Sequence, residues 1–411
     1  MKSKGETIEG GDLQLTSNLL EEAKSSEEWL LKVRRHLHAH PERSFQEHGT
    51  ARFVEEELLR IGPMTVRTGV GKTGVVALIE GRPGPCVALR ADMDALPISE
   101  ETGLPYASRN EGVMHACGHD VHVTCLLGAA RLLWARRKEL RGSVKLIFQP
   151  AEELTLGARA MIEEGVMESP KVEMIFGLHV NPEVEAGKVA VRSGPIMAST
   201  DSFDVEVRGR GGHGAMPHRS ADPILAASAV VLNLQSVVSR NVDPLKPAVL
   251  SVCTFHGGSA HNIIPERVEL GGTVRTMDEG VRDLMEARIL EIARSTAEAL
   301  GCSASVIYHR LLPPTVNSPR AASIAAEAAR EVLGEEGVEE ANPVMGAEDF
   351  SLFARAVPGC FLWLGVRNER IDAVHPWHSP RFKVDESCLA VGASVMAGCA
   401  LKALTALSPS R

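Results

Sequence analysis

The sequence predicts an α/β protein in which a mostly parallel sheet, with helices on both faces, is interrupted by a smaller ferredoxin-like domain. Short, continuously apolar strands alternate with helices in the first half of the chain and again near its end, which is typical of a buried parallel sheet. Between these regions lies a segment with the element order βαββαβ, the split pattern of a ferredoxin-like domain. At 411 residues the chain is too long for one ordinary core, and we expect more than one domain.

The first part of the chain, residues 1–198, supplies most elements of the larger domain. Hydrophobic periodicity predicts helices over residues 19–38, 46–61 and 121–136. Short apolar runs predict strands, which cover residues 74–79, 86–90, 144–148 and 174–178.

The middle part, residues 199–311, is predicted to form the inserted domain. Its strands are expected at 202–208, 248–255, 267–275 and 304–309, and its helices at 223–239 and 280–300. Asp222 is a suitable N-cap for the first of these helices because Pro223 follows it, and Gly301 is a suitable C-cap for the second.

Residues 312–411 return to the larger domain. After Pro313-Pro314 we expect a helix at 321–333, a strand at 361–365 and a closing helix at 385–407. The chain therefore has a discontinuous larger domain with a smaller domain inserted into it.

Composition excludes several classes of partner. The formal charge is -9 without a long basic run, and aromatic residues make up only 4% of the chain, so nucleic acid and anionic membrane surfaces are not expected partners. We find no signal peptide at the N-terminus and no stretch apolar and long enough to span a bilayer, and we expect a cytoplasmic protein.

The eight scattered cysteines are expected to be reduced core residues, except Cys117, which lies among histidines.

Carboxylates and imidazoles follow four of the apolar strands. These segments are RADMD at 90–94, QPAEE at 149–153, LH at 178–179 and HPWHSP at 375–380. The loop MHACGHDVH at 114–122 precedes a helix and adds a thiol and further imidazoles. Because the carboxyl ends of the strands in an open α/β sheet converge on one edge, we expect these side chains to lie together.

Together these groups predict a metal site, although each alone has an ordinary explanation. A single histidine at a strand end is more often structural, an isolated Glu152-Glu153 pair is more often a solvated acidic surface, and Cys-x-His is more often incidental. Thiolate, imidazole and carboxylate are the ligands of zinc and its neighbours, and a thiolate or carboxylate can bridge two cations. Adjacent residues of an extended backbone point in opposite directions, so one of Glu152 and Glu153 could ligate a cation while the other serves as general base.

The sequence resembles the amidohydrolase branch of the dinuclear-metal aminoacylase and carboxypeptidase family. That branch contains hippurate hydrolases, bacterial N-acyl-amino-acid amidohydrolases and plant hydrolases of indole-acetyl-amino acids. The resemblance extends from about residue 29 to residue 406. It rests on the motifs RHLHAHPE at 35–42, RADMDALP at 90–97, CGHD at 117–120, QPAEE at 149–153, GHGAMPH at 212–218, NIIP at 262–265 and HSP at 378–380.

The resemblance implies a site with two divalent metal ions per chain, zinc first, with manganese, cobalt and nickel as alternatives. The ligands it implies are Cys117, His119, Glu153, His179 and His378. Cys117 would bridge the two ions, where carboxypeptidase relatives have an aspartate.

The resemblance also implies roles for residues around the ligands. Glu152 would be the catalytic general base and then the acid, and His213 would stabilise the oxyanion. Asn262 and Arg275 would contact the substrate, and Arg275 is chemically suited to a carboxylate, although an exposed strand charge is an equally good explanation. Asp92, Asp94 and Asp120 would contact the metal ligands without binding the metal themselves, in roles that the sequence does not define.

The function implied is a metal-dependent hydrolase that cleaves the amide bond of a small-molecule N-acyl amino acid. Dimers or tetramers through the inserted domain are expected from the same resemblance. Two other hypotheses remain open. One is an amidase with Cys117 as nucleophile and His119 or His115 as its base, and the other is a non-catalytic metal-binding dimer scaffold. The nucleophile hypothesis leaves Glu152, Glu153, His179 and His378 without a function, and the scaffold hypothesis does not explain Glu152. The acyl group, the amino acid and the metal are not determined by the sequence.

Overall fold

The computed structural model describes residues 18–408, which form two compact units. The larger unit comprises residues 18–194, 316–342 and 352–408, and the smaller comprises residues 195–315 and 343–351. The smaller unit is therefore more extensive than the inserted segment 199–311 that the sequence predicts. Residues 343–351 belong to it because Val344 donates its backbone N–H to Ile196, and Ala198 donates to Gly346.

Twenty-six helices and strands are named here in chain order. The helices are α1 (Leu19–Lys24), α2 (Glu27–Ala39), α3 (His48–Ile61), α4 (His119–Ala135), α5 (Gly157–Glu163), α6 (Pro223–Ser236), α7 (Glu279–Ala299), α8 (Pro319–Leu333), α9 (Phe350–Ala356) and α10 (Cys388–Leu407). The strands are β1 (Thr65–Val70), β2 (Gly74–Glu80), β3 (Cys86–Asp92), β4 (Ser143–Gln149), β5 (Val172–Glu185), β6 (Val189–Val191), β7 (Gly194–Met197), β8 (Thr200–Arg208), β9 (Gly212–His213), β10 (Ala248–Gly257), β11 (Ile263–Ile264), β12 (Arg267–Thr276), β13 (Ser303–Leu312), β14 (Thr315–Asn317), β15 (Val338–Glu340) and β16 (Gly359–Arg367).

The larger unit is built on an eight-stranded sheet with the order β1-β2-β4-β3-β5-β16-β6-β15. The central strands β4, β3, β5 and β16 are parallel to one another, whereas β2 joins β4, and β6 joins β16, in antiparallel fashion. All seven residues of β3 are buried, as expected for a strand covered on both faces. The helices α4 and α10 pack against each other and against β3 and β5.

The smaller unit has the ferredoxin-like order β10-β12-β8-β13, in which every neighbouring pair is antiparallel. Its helices α6 and α7 pack together and against β12. Asp222 caps α6 by accepting backbone N–H groups from Ile224 and Leu225, at 2.9 and 3.4 Å, and Pro223 occupies the first turn. The predicted fold class is thus confirmed.

Several element boundaries differ from the predictions. The helix predicted over 19–38 is two helices, α1 and α2, because the chain turns at Ser25 and Ser26. Strand β5 extends well beyond the predicted 174–178, so His179 lies inside this strand and not after it. The sequence also missed the edge strand β1, whose exposed positions give it no apolar run.

Two helical segments meet the length and hydropathy test for a membrane span, contrary to the expectation that no segment would. One is α10, and the other, Pro223–Asn241, comprises α6 and the π-helical segment that follows it, Val237–Asn241. The apolar window of α10 is 89% buried inside the larger unit, which identifies it as a core helix. The window in Pro223–Asn241 is 33% buried, and it leaves Leu225 and Leu232 largely exposed.

Candidate metal centre

Cys117 and His119 lie at the start of α4, beside the carboxyl end of the parallel strands. Between them, Gly118 has φ 87, a left-handed conformation that favours glycine, and a Cβ there would lie 2.4 Å from Cγ2 of Val180. This close approach brings the start of the helix against β5, where Val180 follows His179. Cys117 and His179 meet at this contact, with 3.3 Å between Sγ and Nε2.

The five residues implied as ligands form two triads that share Cys117. In the first, donor atoms of Cys117, His119 and His179 all lie within 4.8 Å of one another. In the second, Cys117, Glu153 and His378 meet the same criterion, and His378 Nε2 is 3.6 Å from Glu153 Oε2. A thiol common to two groups of donors is the arrangement required for a bridging ligand between two cations.

Backbone hydrogen bonds orient the imidazole of His179. Its Nδ1 lies 2.8 Å from the carbonyl oxygen of Val180, so Nδ1 carries the proton and Nε2 faces Cys117 without one. The same carbonyl accepts a hydrogen bond from Trp377 Nε1 at 2.9 Å, and the Trp377 ring lies edge-on to His179. His179 is therefore held in the tautomer that a metal ligand needs.

Asp94 organises the turn that carries the two adjacent glutamates. Its carboxylate accepts the backbone N–H groups of Glu152 and Glu153, at 3.0 and 3.1 Å, and the hydroxyl of Ser44 at 2.6 Å. It also lies 3.4 Å from His119 Nδ1. The carboxylate thus defines both the position of the glutamates and the environment of a candidate ligand.

The expectation that Glu152 and Glu153 point in opposite directions is wrong. Both residues offer a carboxylate oxygen within 4.8 Å of a His119 nitrogen. The reason is that they lie in a turn and not in an extended strand: β4 ends at Gln149, and Ala151 has φ 50. Their roles are therefore distinguished by contacts, since Glu153 also meets Cys117 and His378 whereas Glu152 is absent from that triad.

Asp92 supports the site through its neighbours. Its carboxylate accepts hydrogen bonds from Arg90 at 2.8 Å and from His122 Nδ1 at 2.5 Å, and His122 Nε2 accepts the backbone N–H of Val180 at 2.9 Å. Asp92, His119 and His122 also lie close enough to form a third group of donors. Both nitrogens of His122 are engaged in hydrogen bonds, however, so this group is less suited to hold an ion. Burial would raise the pKa of Asp92, but the positive charges of His119 and Arg90 hold that pKa well below its usual range.

Asp120 faces away from the two triads and toward α2. Its Oδ2 lies 3.0 Å from Arg34 Nε and 2.8 Å from His38 Nδ1, and all three side chains are buried. The charges of Arg34 and His38 outweigh burial and lower the pKa of Asp120. Asp120 thus fixes the first turn of α4 to the neighbouring helix.

The donor set fits divalent cations. Both ring nitrogens of His119 and Oε1 of Glu153 are buried without a hydrogen-bond partner, and unsatisfied polar atoms of this kind are rare in folded proteins. Burial raises the pKa of Glu153 to about 7. Burial opposes the protonation of His119, but Asp92 and Asp94 together raise its pKa to about 10. Below pH 7 both groups in the metal-free protein therefore hold protons that a cation would displace.

The other predicted site residues lie in the smaller unit. His213 is in β9 and pairs with Ile263 of β11, and Asn262 accepts the backbone N–H of Gly214 at 2.8 Å. The motifs around His213 and Asn262 are therefore adjacent in space, because β9 and β11 form a small antiparallel two-stranded sheet. Arg275 lies separately on β12, where its guanidinium contacts Thr273 and the carbonyl of Val274.

Glu47 and Trp377 were not singled out from the sequence, and His115 was considered only as a possible base for a Cys117 nucleophile. Glu47 is fully buried, and its carboxylate accepts the backbone N–H of Ala151 at 2.9 Å. This hydrogen bond stabilises the residue that precedes the two glutamates. Neither ring nitrogen of His115 has a hydrogen-bond partner, and burial lowers the pKa of this residue to about 4. Trp377 lies between two named histidines in the sequence, and its contact with the His179 ring could be found only from the structure.

A two-unit α/β fold with two thiol-sharing triads, and a carboxylate beside them, defines a metal-dependent hydrolase. The chain belongs to peptidase family M20/M25/M40, whose profile matches residues 88–402. Its relatives include enzymes named as amidohydrolases and deacetylases, and this chain is a metal-dependent amidohydrolase of that family.

Three relatives illustrate the range of the family. The chain is 41% identical over 395 residues to thermostable carboxypeptidase 1 of Saccharolobus solfataricus, covering 95% of this chain and 99% of that protein. It is 42% identical over 364 residues to N-acetyl-L-cysteine deacetylase of Bacillus subtilis, covering 88% and 85%. It is 43% identical over 397 residues to IAA-amino acid hydrolase ILR1-like 2 of Arabidopsis thaliana, covering 95% and 89%.

Two solved structures share the fold. A putative aminohydrolase from methicillin-resistant Staphylococcus aureus matches with TM-score 0.89 and 35% identity, covering 96% of this chain and all of that chain. The Bacillus subtilis YXEP protein, described as a dinuclear metal-binding peptidase from the M20 family, matches with TM-score 0.83 and 37% identity, covering 93% and 99%.

Proposed function

We propose that this enzyme hydrolyses the amide bond of N-acyl amino acids, releasing a carboxylic acid and a free amino acid. The observation that carries this proposal is the pair of triads that share Cys117, with Glu152 beside them. Two divalent cations would be held by five residues, with Cys117 common to both triads: Cys117, His119, Glu153, His179 and His378. Zinc is the first choice because the set combines thiolate, imidazole and carboxylate, and manganese, cobalt and nickel accept the same ligands.

The reaction assigns separate tasks to the two glutamates. Cations at this site supply Lewis acidity toward water and the amide carbonyl. Glu152 accepts the proton of the attacking water and then delivers it to the departing amine, which makes it the general base and acid. The backbone hydrogen bonds from Glu152 and Glu153 to Asp94 hold both carboxylates in position during this transfer.

The smaller unit supplies substrate contacts in this proposal. His213 donates a hydrogen bond to the oxyanion, and Asn262 and Arg275 bind the amino acid part, with Arg275 paired to its carboxylate. The name of the Arabidopsis relative, an IAA-amino acid hydrolase, and that of the Bacillus subtilis deacetylase both indicate acylated amino acids. These names support the substrate class and leave the acyl group open.

We also propose that the enzyme works in the cytoplasm as a dimer formed through the smaller unit, or as a tetramer built from such dimers. Leu225 is 59% exposed and Leu232 is 74% exposed on α6, so this helix presents an apolar surface. Strand β10 is at the edge of its sheet, where it pairs with β12 alone among the described residues. An apolar helix face beside an open strand edge is the kind of surface that pairs with a second copy.

The cation-dependent mechanism is favoured over a Cys117 nucleophile because it gives a function to every donor residue of the two triads. Nε2 of His179 lies 3.3 Å from Sγ of Cys117 and is an acceptor, since Nδ1 donates its proton to a backbone carbonyl. That acceptor could serve a nucleophile, but His378 and Glu153 would then have no function beside Cys117. A thiol nucleophile keeps its activity when metal is removed, which separates the two mechanisms.

The test is an amidase screen on metal-reconstituted protein, with acetyl, benzoyl, indole-acetyl and longer acyl groups on several amino acids. Release of free amino acid should be abolished by a chelator and restored by added metal. N-blocked dipeptides belong in the same screen, because a relative is named a carboxypeptidase. Turnover that is unaffected by chelation, or cleavage of peptides with none of N-acyl amino acids, would contradict the proposal.

A further inference from the structure

A cavity lies in the larger unit, between helices α2, α3 and α4. Its volume is about 680 Å³, within the range of small-molecule sites. None of the five candidate metal ligands lines this cavity, and neither Glu152 nor any residue of the smaller unit does. The cavity is therefore a separate feature, to which the proposed function gives no role.

The floor of the cavity is apolar and partly aromatic. Trp29 and Val33 of α2 line it together with Phe53 and Ile61 of α3. The indole of Trp29 is fixed because its Nε1 donates to Glu57 Oε2 at 3.0 Å, and the Phe53 ring stacks on His36 with 4.1 Å between ring centres. Fixed aromatic rings of this kind accept another ring by stacking on an open face or by edge-to-face contact.

The charges around the cavity are unbalanced. Among the described residues, Glu57 is the only acidic one that lines it, and this carboxylate already accepts a hydrogen bond from Trp29 and pairs with Arg60. Lys32 and Arg131 line the same cavity and are exposed, and within residues 18–408 neither forms an ion pair or hydrogen bond with an acidic side chain. Arg131 instead lies over the Trp29 ring, with 5.3 Å from Cζ to the ring centre. Two cations without counterions therefore border an aromatic floor, in a chain whose formal charge is -9.

We propose that this cavity binds a small planar aromatic carboxylate. The ring packs on Trp29 and Phe53, and the carboxylate is recognised by Lys32 and Arg131. Arginine suits this task because its planar guanidinium pairs with a carboxylate in bidentate fashion, and lysine adds a second, more mobile positive charge. A neutral aromatic molecule would keep the stacking and lose the ion pairs, whereas acetate would keep the charge and lose the stacking.

The experiment is a ¹⁹F NMR titration of full-length, metal-loaded protein labelled with 5-fluorotryptophan, with phenylacetate as the probe. The four tryptophans are assigned by single Trp→Phe variants. Trp29 reports on the cavity, whereas Trp363 and Trp377, whose rings lie 6.0 and 5.6 Å from His179, report on the metal centre. We expect the Trp29 resonance to shift saturably, with a Kd of about 1 mM or tighter, as ligands with about ten non-hydrogen atoms allow. Phenylacetamide and acetate should bind at least roughly tenfold more weakly.

The control variants separate carboxylate recognition from general charge. Lys32→Glu combined with Arg131→Glu should weaken phenylacetate binding at Trp29 roughly tenfold or more. Lys138→Glu combined with Lys171→Glu makes the same change of net charge at exposed residues outside the cavity, and should leave binding within about twofold. Shifts confined to Trp363 and Trp377 would overturn the proposal, as would equal binding of phenylacetamide or equal weakening by the two double variants. Because this readout does not involve turnover, it is independent of whether N-acyl amino acids are the substrates.

Discussion

At the scale of single residues, the environment of each carboxylate distinguishes groups that look alike in the sequence. Asp94 accepts two backbone N–H groups of the glutamate turn, whereas Asp92 binds Arg90 and His122. Glu153 contacts Cys117 and His378 in a donor triad, and Glu152 does not belong to that triad. Chemically identical side chains thus have different roles because the turn and the helix start present them to different partners.

The two adjacent glutamates should respond differently to the same substitution. Glu152→Gln should lower kcat by about 10²–10⁴-fold while metal content stays near that of the unmodified enzyme, because the amide keeps the shape and cannot transfer the proton. Glu153→Gln should instead reduce metal occupancy, because it removes a charged ligand. Elemental analysis and steady-state kinetics on both variants make the comparison, and a Glu152→Gln enzyme within a few-fold of normal activity would rule out its role as general base.

Metal binding should release protons and should weaken as the pH falls. Burial raises the pKa of Glu153 to about 7, and Asp92 and Asp94 overcome burial to raise that of His119 to about 10. Below pH 7 the metal-free protein therefore holds both protons, and cations must displace them, so affinity rises with pH. Calorimetry in buffers with different ionisation enthalpies should show about two or more protons released per chain at pH 6. Release of no protons would mean that His119 and Glu153 do not bind the metal.

At the scale of elements, the metal centre depends on how α4 begins. Its first turn carries His119 toward the triads and Asp120 toward α2, where Arg34 and His38 bind the carboxylate. Gly118 allows this turn to approach β5 so closely that a side chain at that position would overlap Val180. The short segment at residues 117–120 therefore packs the start of α4 against β5 and carries two candidate ligands, Cys117 and His119.

Asp120→Asn should destabilise the protein by about 2–3 kcal/mol, because the buried Arg34 loses its buried carboxylate partner and keeps the more exposed Glu386. Equilibrium unfolding in urea measures this change. Glu22→Gln is the matched control: it breaks a pair with Arg136 in which Glu22 is 44% exposed, and it should cost no more than about 1 kcal/mol. A similar decrease in the free energy of unfolding in both variants would show that burial does not make the Asp120–Arg34 pair more important for stability than the exposed pair.

At the scale of the whole molecule, chemistry is divided between two compact units. The larger unit holds Glu152 and the five residues proposed to bind the metal ions, and the smaller unit holds His213, Asn262 and Arg275. The smaller unit also carries the exposed leucines of α6 and the edge strand β10. This division makes the proposed assembly directly relevant to catalysis, since a residue of one chain could serve the metal centre of another.

Mixing two inactive variants tests that assembly. His213→Ala should lower turnover strongly with unchanged metal content, since one oxyanion donor contributes on the order of 3 kcal/mol. When His213→Ala is mixed with Glu152→Gln under conditions that exchange subunits, each mixed dimer holds one site with both groups intact, and part of the activity should return. If no activity returns although exchange is shown independently by mass spectrometry, His213 does not act across a dimer.

The sequence by itself determined the fold class and the family, and it predicted which residues form the candidate metal centre. The apolar strands β3 and β4 are continuous runs because both faces are buried, and the motifs around Cys117, Glu152 and His378 are local and specific. These features could be predicted because periodicity and motif spacing are properties of neighbouring residues in the chain.

Only the tertiary structure decided how these residues meet. The sharing of Cys117 by two triads, the support of the glutamate turn by Asp94 and the binding of Arg34 by Asp120 all join residues distant in the chain. The orientation of Glu152 and Glu153 was mispredicted because a turn with positive φ at Ala151 replaced the extended backbone assumed for them. Such contacts arise from packing and buried hydrogen bonds between separate elements, and these interactions leave no periodic signal in the sequence.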